Sequence, residues 1–258
     1  VITDENRQIV DFEEKPQNPR SNLASMGIYI FSWPTLKKAL IEKKDVPGCD
    51  FGKHIIPYCF EQNRRMFAYE FNGYWKDVGT LGSYWEANME LIDIVPDFNL
   101  YEEYWKIYTN NGSLPPQYIS DKSVIERSLI CNGAEIYGQV YNSVIGAGVI
   151  VEEGSVIRDS IVMQDTTIGK GCTIERSIIA EEVQIGDHVI MGVGPEVPNK
   201  MKPDVYSFGL VTVGDRSTIP SGVRIGKNTA ISGLTVPEDY ANGALESGES
   251  LIKAGEEA

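Results

Sequence analysis

Small aliphatic residues recur through the second half of the chain in steps of five or six: Ile145, Val151, Ile157, Val162, Ile168, Ile174, Ile179 and Ile185. After a break the step of six returns at Val213, Ile219, Ile225 and Ile231. A longer phrase runs through the same region. It reads Arg127-Ser128-Leu129-Ile130, Asn142-Ser143-Val144-Ile145, Asp159-Ser160-Ile161-Val162 and Arg176-Ser177-Ile178-Ile179, with serines 15, 17 and 17 residues apart. Strands of a β-sandwich alternate with period two and do not hold a step of six. A six-residue step describes one flat side of a three-sided coil, and three sides take about 17 or 18 residues per turn. Inward residues then stack on their counterparts one turn later, because a single repeat cannot bury a core alone. Gly follows the aliphatic in Ile168-Gly169, Ile185-Gly186, Val213-Gly214 and Ile225-Gly226. The expected reason is a positive φ at tight corners, which Gly adopts without strain.

This periodicity resembles the hexapeptide repeat of left-handed parallel β-helices. The coil is expected over 119–258, with an interruption at about 192–212 that carries Pro195, Pro198 and Pro203, and a polar, frayed tail from about 246. Residues 1–98 are patterned differently, mixing helix and strand. Ile9 to Phe12, Ala24 to Phe31 and Met66 to Phe71 read as strands. Ser32 before Trp33-Pro34, with apolar Leu36, Leu40 and Ile41, predicts a capped helix with Pro in its first turn. Asp50 precedes a second helix with Ile55, Ile56 and Cys59 on one face; Thr80 caps a third with Leu81, Tyr84, Trp85, Met89 and Ile92 inward. Residues 99–118, with Asn110-Asn111-Gly112 and Pro115-Pro116, form a linker. A length of 258 residues accommodates two such domains.

The formal net charge of -14 argues against a nucleic-acid surface, which is usually basic. No apolar run approaches the roughly 18 residues needed to span a bilayer. The four cysteines, Cys49, Cys59, Cys131 and Cys172, form no C-x-x-C pair; they read as reduced, mostly buried thiols of a cytoplasmic protein.

Candidate chemistry concentrates in the first domain. Glu14-Lys15-Pro16 follows a strand and precedes a polar loop. A Lys fixed there suits a phosphate, for which Lys acts as a point charge. Read alone, a solvated surface Lys explains this tripeptide better. Asp77 lies in Gly73-Tyr74-Trp75-Lys76-Asp77-Val78-Gly79-Thr80, a Gly-bracketed turn before a helix. Mg²⁺ usually takes one or two protein carboxylates plus substrate phosphates; read alone, Asp77 is more simply a turn or capping residue.

In order along the chain stand Glu14-Lys15-Pro16, Leu23-Ala24-Ser25-Met26-Gly27-Ile28-Tyr29, Asp50-Phe51-Gly52-Lys53, the phrase around Asp77, and Ser113-Leu114-Pro115-Pro116 before the hexapeptide coil. Together they closely resemble bacterial glucose-1-phosphate adenylyltransferases (ADP-glucose pyrophosphorylases), over most of residues 1–190. The resemblance implies a partial nucleotidyltransferase (Rossmann-like) α/β domain followed by a β-solenoid. It implies transfer of AMP from ATP to glucose 1-phosphate, the first committed step of glycogen synthesis. Lys15 would hold the sugar phosphate and Glu14 orient the sugar. Ser25, Tyr29, Asp50, Phe51 and Trp75 would line the sugar pocket, and Asp77 would be one of two carboxylates on a catalytic Mg²⁺. It further implies a homotetramer with small-molecule allosteric effectors, and neither nucleic acid nor membrane as a partner.

One departure is large: the Gly-rich ATP loop and the second metal-binding Asp of that family are missing, so the chain reads as a C-terminal fragment, inactive by itself. Three alternatives stand beside this reading: a non-catalytic regulatory subunit of the same enzyme, a sugar nucleotidyltransferase making another product, and a hexapeptide acyltransferase using His188 as general base.

Overall fold

The computed structural model describes residues 1–13, 16–109 and 112–253. Glu14, Lys15, Asn110, Asn111 and the tail 254–258 lie outside the described residues. Contacts divide the chain into two units, Val1–Trp75 and Lys76–Ala258.

In the first unit, Ile2–Thr3 pairs antiparallel with Ile9–Asp11. The turn between them is closed by Asp4, whose Oδ1 accepts the N–H groups of Asn6 and Gln8 at 2.9 Å each. Helix α1 spans Trp33–Glu42, and α2 spans Ile56–Glu61 after a π-helical turn at Phe51–Ile55. A small core joins them: Ala39, Ile55 and Cys59 are buried, with Phe31, Leu36, Tyr58 and Met66 packed against them. On α1 the buried residue is Ala39, whereas Leu40 and Ile41 of the expected apolar face are exposed. Ser32 is the N-cap residue, but its hydroxyl donates to Thr35 Oγ1 at 2.8 Å rather than capping the backbone.

Two expected strands are not formed. Ala24 to Phe31 bends at Gly27 and has no ladder partner among the described residues, and Ile28 and Ile30 stand 73% and 100% exposed. Met66 to Phe71 makes only an isolated bridge, Gln8 to Phe67, flanked by the bonds Ile9 N–H to Met66 O (2.8 Å) and Ala68 N–H to Arg7 O (2.9 Å). A β-pattern expresses preference for a pleated surface, and it becomes a strand only when a neighbour takes up its N–H and C=O groups.

The second unit contains helix α3, Leu81–Glu90, and a β-helix that has, among the described residues, three parallel sheets with seven, seven and six strands. Each sheet carries one inward ladder. Val140, Ile157, Ile174, Met191 and Ile225 stack in register on one side; Ile145, Val162, Ile179, Val213 and Ile231 on the next; Ile136, Val151, Ile168, Ile185 and Ile219 on the third. All of them are buried, so the aliphatic steps in the sequence are the core of the coil.

The glycines after the inward aliphatics are needed for a different reason than positive φ. Gly169, Gly186 and Gly226 are absent from the positive-φ residues. What they permit is close approach between turns: a Cβ on Gly169 would sit 2.7 Å from Gly186 C, on Gly186 2.6 Å from Ser221 N, and on Gly226 2.3 Å from Ser247 N. Left-handed backbone falls elsewhere in the coil, including the first residue of the serine phrase in every copy: Arg127, Asn142, Asp159 and Arg176 have φ of 42° to 48°.

The serines themselves form a ladder. Ser143 N–H donates to Ser128 Oγ (3.2 Å), Ser160 N–H to Ser143 Oγ (3.1 Å) and Ser177 N–H to Ser160 Oγ (3.0 Å). Each hydroxyl in turn donates to the carbonyl two residues before it.

The excursion begins after Val193 and the coil resumes at Val211. Two asparagines pin it. Buried Asn199 donates to Asn228 O at 2.8 Å, and Asn228 donates to Val197 O and accepts from Gly209 N–H, both at 2.7 Å. The coil also runs further than the polar composition implies. Ser250–Ile252 adds a last strand, with Leu251 stacked on Ile231, so 246–253 is not a frayed tail. Of the four free cysteines only Cys59 and Cys172 are buried; Cys49 and Cys131 are exposed, fewer buried thiols than expected.

Candidate functional site

A cleft of about 640 Å³ opens in the first unit, lined by Ser25, Gly27, Tyr29, Phe31, Leu36, Cys49, Asp50, Phe51 and Gly52. Two sequence phrases build it from opposite ends of α1. The first supplies Ser25 and Tyr29, whose hydroxyls lie 2.9 Å apart, and Ser25 Oγ also accepts Gly27 N–H at 3.2 Å. That turn requires left-handed backbone at Gly27, φ 73°. The second phrase supplies Asp50 and Phe51. Asp50 Oδ1 accepts Lys53 N–H at 2.8 Å, opening the π-helical turn, while Asp50 N–H donates to His54 Nδ1 at 3.0 Å. The Tyr29 and Phe51 rings stack, with centroids 5.6 Å apart and planes at 11°, and Phe31 tilts against Phe51 at 6.0 Å. The result is an aromatic wall beside a carboxylate and two hydroxyls. Aromatic faces suit the C–H faces of a small polar ligand, and a few convergent polar groups orient it.

Four predicted pocket residues, Ser25, Tyr29, Asp50 and Phe51, therefore share one cleft. Trp75 is not among its lining residues and is 46% exposed. Glu14 and Lys15 lie outside the described residues. Phe31, Leu36 and Cys49 were not assigned to the pocket from the sequence. Phe31 and Cys49 sit just beyond the ends of the two phrases, which was the available signal.

Asp77 belongs to the second unit. Its Oδ1 accepts Gly79 N–H at 2.9 Å, a tight turn that feeds directly into α3. There Thr80 and Ser83 form a reciprocal capping box, each side chain accepting the other's backbone N–H. Lys76, on the other side, is paired with Glu90 and with Glu86 (3.4 Å) of α3. The hydrogen bond that Lys76 donates to Glu90, with the added contact to Glu86, holds the Lys76 ammonium above the ordinary lysine range. No cluster of three or more His, Cys, Asp or Glu side chains able to hold a metal occurs among the described residues. Asp77 is an exposed carboxylate with one oxygen engaged by a backbone N–H, which fits a Mg²⁺ ion that takes most of its other ligands from phosphates and water.

Helix α3 is fixed to the coil at the serine corners. Trp85 Nε1 donates to Asp159 O at 2.7 Å, and the Arg176 guanidinium lies 4.7 Å from the Trp85 ring centroid. Leu81, Tyr84, Trp85 and Met89 pack on Ile161, Ile178 and Leu210. Gly82 faces Phe208 of the excursion, where a Cβ would approach the ring to 3.2 Å. His188 is an exposed coil-corner residue with φ 58°.

Comparison with known proteins matches residues 1–94 to the "Nucleotidyl transferase" family model and residues 117–213 to the "GlmU-like, C-terminal hexapeptide" model. A glucose-1-phosphate adenylyltransferase of Lachnospira eligens is 63% identical over 256 residues, covering 99% of this chain and 60% of the relative. Proteins of the same name from Acetivibrio thermocellus and Thermotoga maritima are 48% and 51% identical, each covering 98% of this chain and 60% of the relative. Over nearly its whole length the chain is similar to glucose-1-phosphate adenylyltransferases. It spans about 60% of the length of the curated glucose-1-phosphate adenylyltransferases it matches. Among the described residues no helix is long and apolar enough to cross a membrane.

Proposed function

We propose that the protein of which this chain is part transfers the adenylyl group of ATP to glucose 1-phosphate, releasing pyrophosphate and ADP-glucose. The observation that carries this reading is the gathering of Ser25, Tyr29, Asp50 and Phe51 around one cleft, in a chain 63% identical to a glucose-1-phosphate adenylyltransferase over nearly its whole length. A phosphate oxygen of the sugar phosphate attacks the α-phosphorus of ATP; that P–O bond forms as the bond to the β-phosphate's bridging oxygen breaks. Catalysis of such a transfer rests on positioning and on neutralising charge.

In this reading the Tyr29–Phe51 wall receives the C–H face of the glucosyl ring, and Asp50 and the Ser25 and Tyr29 hydroxyls take its hydroxyl groups. Glu14 orients the sugar, Trp75 completes its pocket, and Lys15 holds the phosphate. Asp77 is a Mg²⁺ ligand, and the bound ion would offset charge on the phosphates. The parent protein is proposed to be a cytoplasmic homotetramer under small-molecule allosteric control, and the 258-residue chain alone to be inactive.

The test is pyrophosphate release by the full-length protein, with ATP, Mg²⁺ and glucose 1-phosphate. Lys15→Ala and Asp77→Asn should each lower kcat/KM by about 10²-fold or more, the usual scale for losing one group that stabilises transition-state charge. Undiminished turnover by both variants, or a preference for another sugar phosphate, would refute the assignment. Formation of ADP-glucose by the 258-residue chain alone would refute its inactivity.

A further inference from the structure

We propose that Lys76 is a positioning residue for the Asp77 carboxylate, and that Glu86 and Glu90 of α3 hold Lys76 for that purpose. The inference rests on the reading of Asp77 as a Mg²⁺ ligand.

Three observations carry it. First, the peptide bearing Asp77 is fastened to α3 on both sides. Before it, Lys76 reaches Glu86 and Glu90, which lie i, i+4 on one face of the helix. After it, the Gly79 N–H closes the Asp77 turn and the Thr80–Ser83 box joins that turn to the first residues of α3. Second, Lys76 is adjacent in sequence to Asp77, so a loose ammonium would be a ready competitor for its carboxylate. Two glutamates on the helix neutralise that cation and direct it elsewhere; its side chain is 22% exposed, against 44% and 48% for its partners. Third, α3 has a rigid support, since Trp85 bonds the coil at Asp159 O and stacks with Arg176. Supports of this kind orient a metal ligand without touching the metal, and their loss typically weakens metal use by about 10- to 100-fold.

The experiment uses the full-length enzyme with Lys76→Met, Lys76→Arg and the double variant Glu86→Gln/Glu90→Gln. Two quantities are read: the Mg²⁺ concentration for half-maximal pyrophosphate release against the KM for glucose 1-phosphate, and amide exchange of Gly79 in metal-free protein. Lys76→Met should raise the Mg²⁺ requirement about tenfold while the sugar-phosphate KM stays within about twofold, and should speed exchange at Gly79. Lys76→Arg should restore most of both, and the double glutamine variant should follow Lys76→Met. An unchanged Mg²⁺ requirement with unchanged Gly79 exchange in Lys76→Met overturns the proposal. So does a parallel rise in Mg²⁺ requirement and sugar KM, which marks a general structural role. If Lys76→Met fails to fold, the double glutamine variant decides between the same outcomes. Full activity in Asp77→Asn would instead remove the reading beneath it.

Discussion

Ser160 and Ser177 occupy equivalent places in successive turns and are both fully buried, yet their removal should cost different amounts. Ser160 Oγ donates to Arg158 O at 2.6 Å and accepts Ser177 N–H at 3.0 Å. Ser160→Ala removes both bonds and leaves the buried Ser177 amide without its acceptor. Ser177 Oγ donates to Glu175 O at 2.9 Å and is the last hydroxyl of the ladder, so Ser177→Ala strands no serine amide above it. A net hydrogen bond contributes about 1 kcal/mol, and a stranded buried donor costs about 1–3 kcal/mol. The arithmetic gives about 2–4 kcal/mol for Ser160→Ala and about 1 kcal/mol for Ser177→Ala. The two substitutions remove the same atom from equally buried sites, so hydrophobic and volume effects cancel in the difference. The assay is urea unfolding of the chain followed by Trp fluorescence, because Trp85 bonds the coil at Asp159, next to Ser160. Equal losses in the two variants, or a greater loss in Ser177→Ala, would refute the account of the serine ladder.

Other expectations follow from corners and ends of the coil. Gly226→Ala drives a methyl to 2.3 Å from Ser247 N and should destabilise by at least the roughly 1–3 kcal/mol of an overpacked site, whereas Gly222→Ala meets no atom within 4 Å and bears only the strain of φ 79°, about 1–2 kcal/mol; a thermal melt ranking them the other way would remove close approach as the reason for these glycines. Ile174→Ala, at the centre of one ladder, should cost about 2–5 kcal/mol by chemical denaturation, as buried Ile→Ala substitutions do. The Lys253 ammonium, 2.5 Å from Asp239, holds that carboxyl below the usual carboxylate range. A depressed carboxylate contributes stability that is present above its unfolded value and is lost as pH falls through the folded one. Amide exchange of the last strand should therefore accelerate below about pH 4, and Lys253→Met should weaken that pH dependence; identical profiles in the two proteins would exclude the ion pair as the cause.

The coil was legible in the sequence because its register is local. Each inward position is set by a residue six along and then by its copy one turn later, so Ile157, Ile174 and Ile225 announce the ladder they form. The expected strands at 24–31 and 66–71 failed for the opposite reason. Ile28 and Ile30 alternate as a strand should, but pairing needs a neighbour at long sequence distance, which a local pattern cannot supply. The cleft was readable only in part. The phrases carrying Ser25, Tyr29, Asp50 and Phe51 were visible as motifs, while Phe31, Leu36 and Cys49 became neighbours of those residues through the fold around α1.

Periodicity and short motifs were sufficient for the β-helix, its aliphatic core, its excursion and the residues proposed to bind substrate. They misjudged why the corner glycines are there, because the sequence records that Gly is required without recording whether φ or a neighbouring backbone requires it. Folding separates the two: Gly226 yields to Ser247 one turn away, while left-handed backbone falls at other corners, among them Arg127, Asn142, Asp159 and Arg176. The serine phrase shows the same division. Its spacing was plain along the chain, but its purpose, a column of hydroxyls each accepting the next turn's amide and holding the corners on which α3 rests, exists only once the turns are stacked.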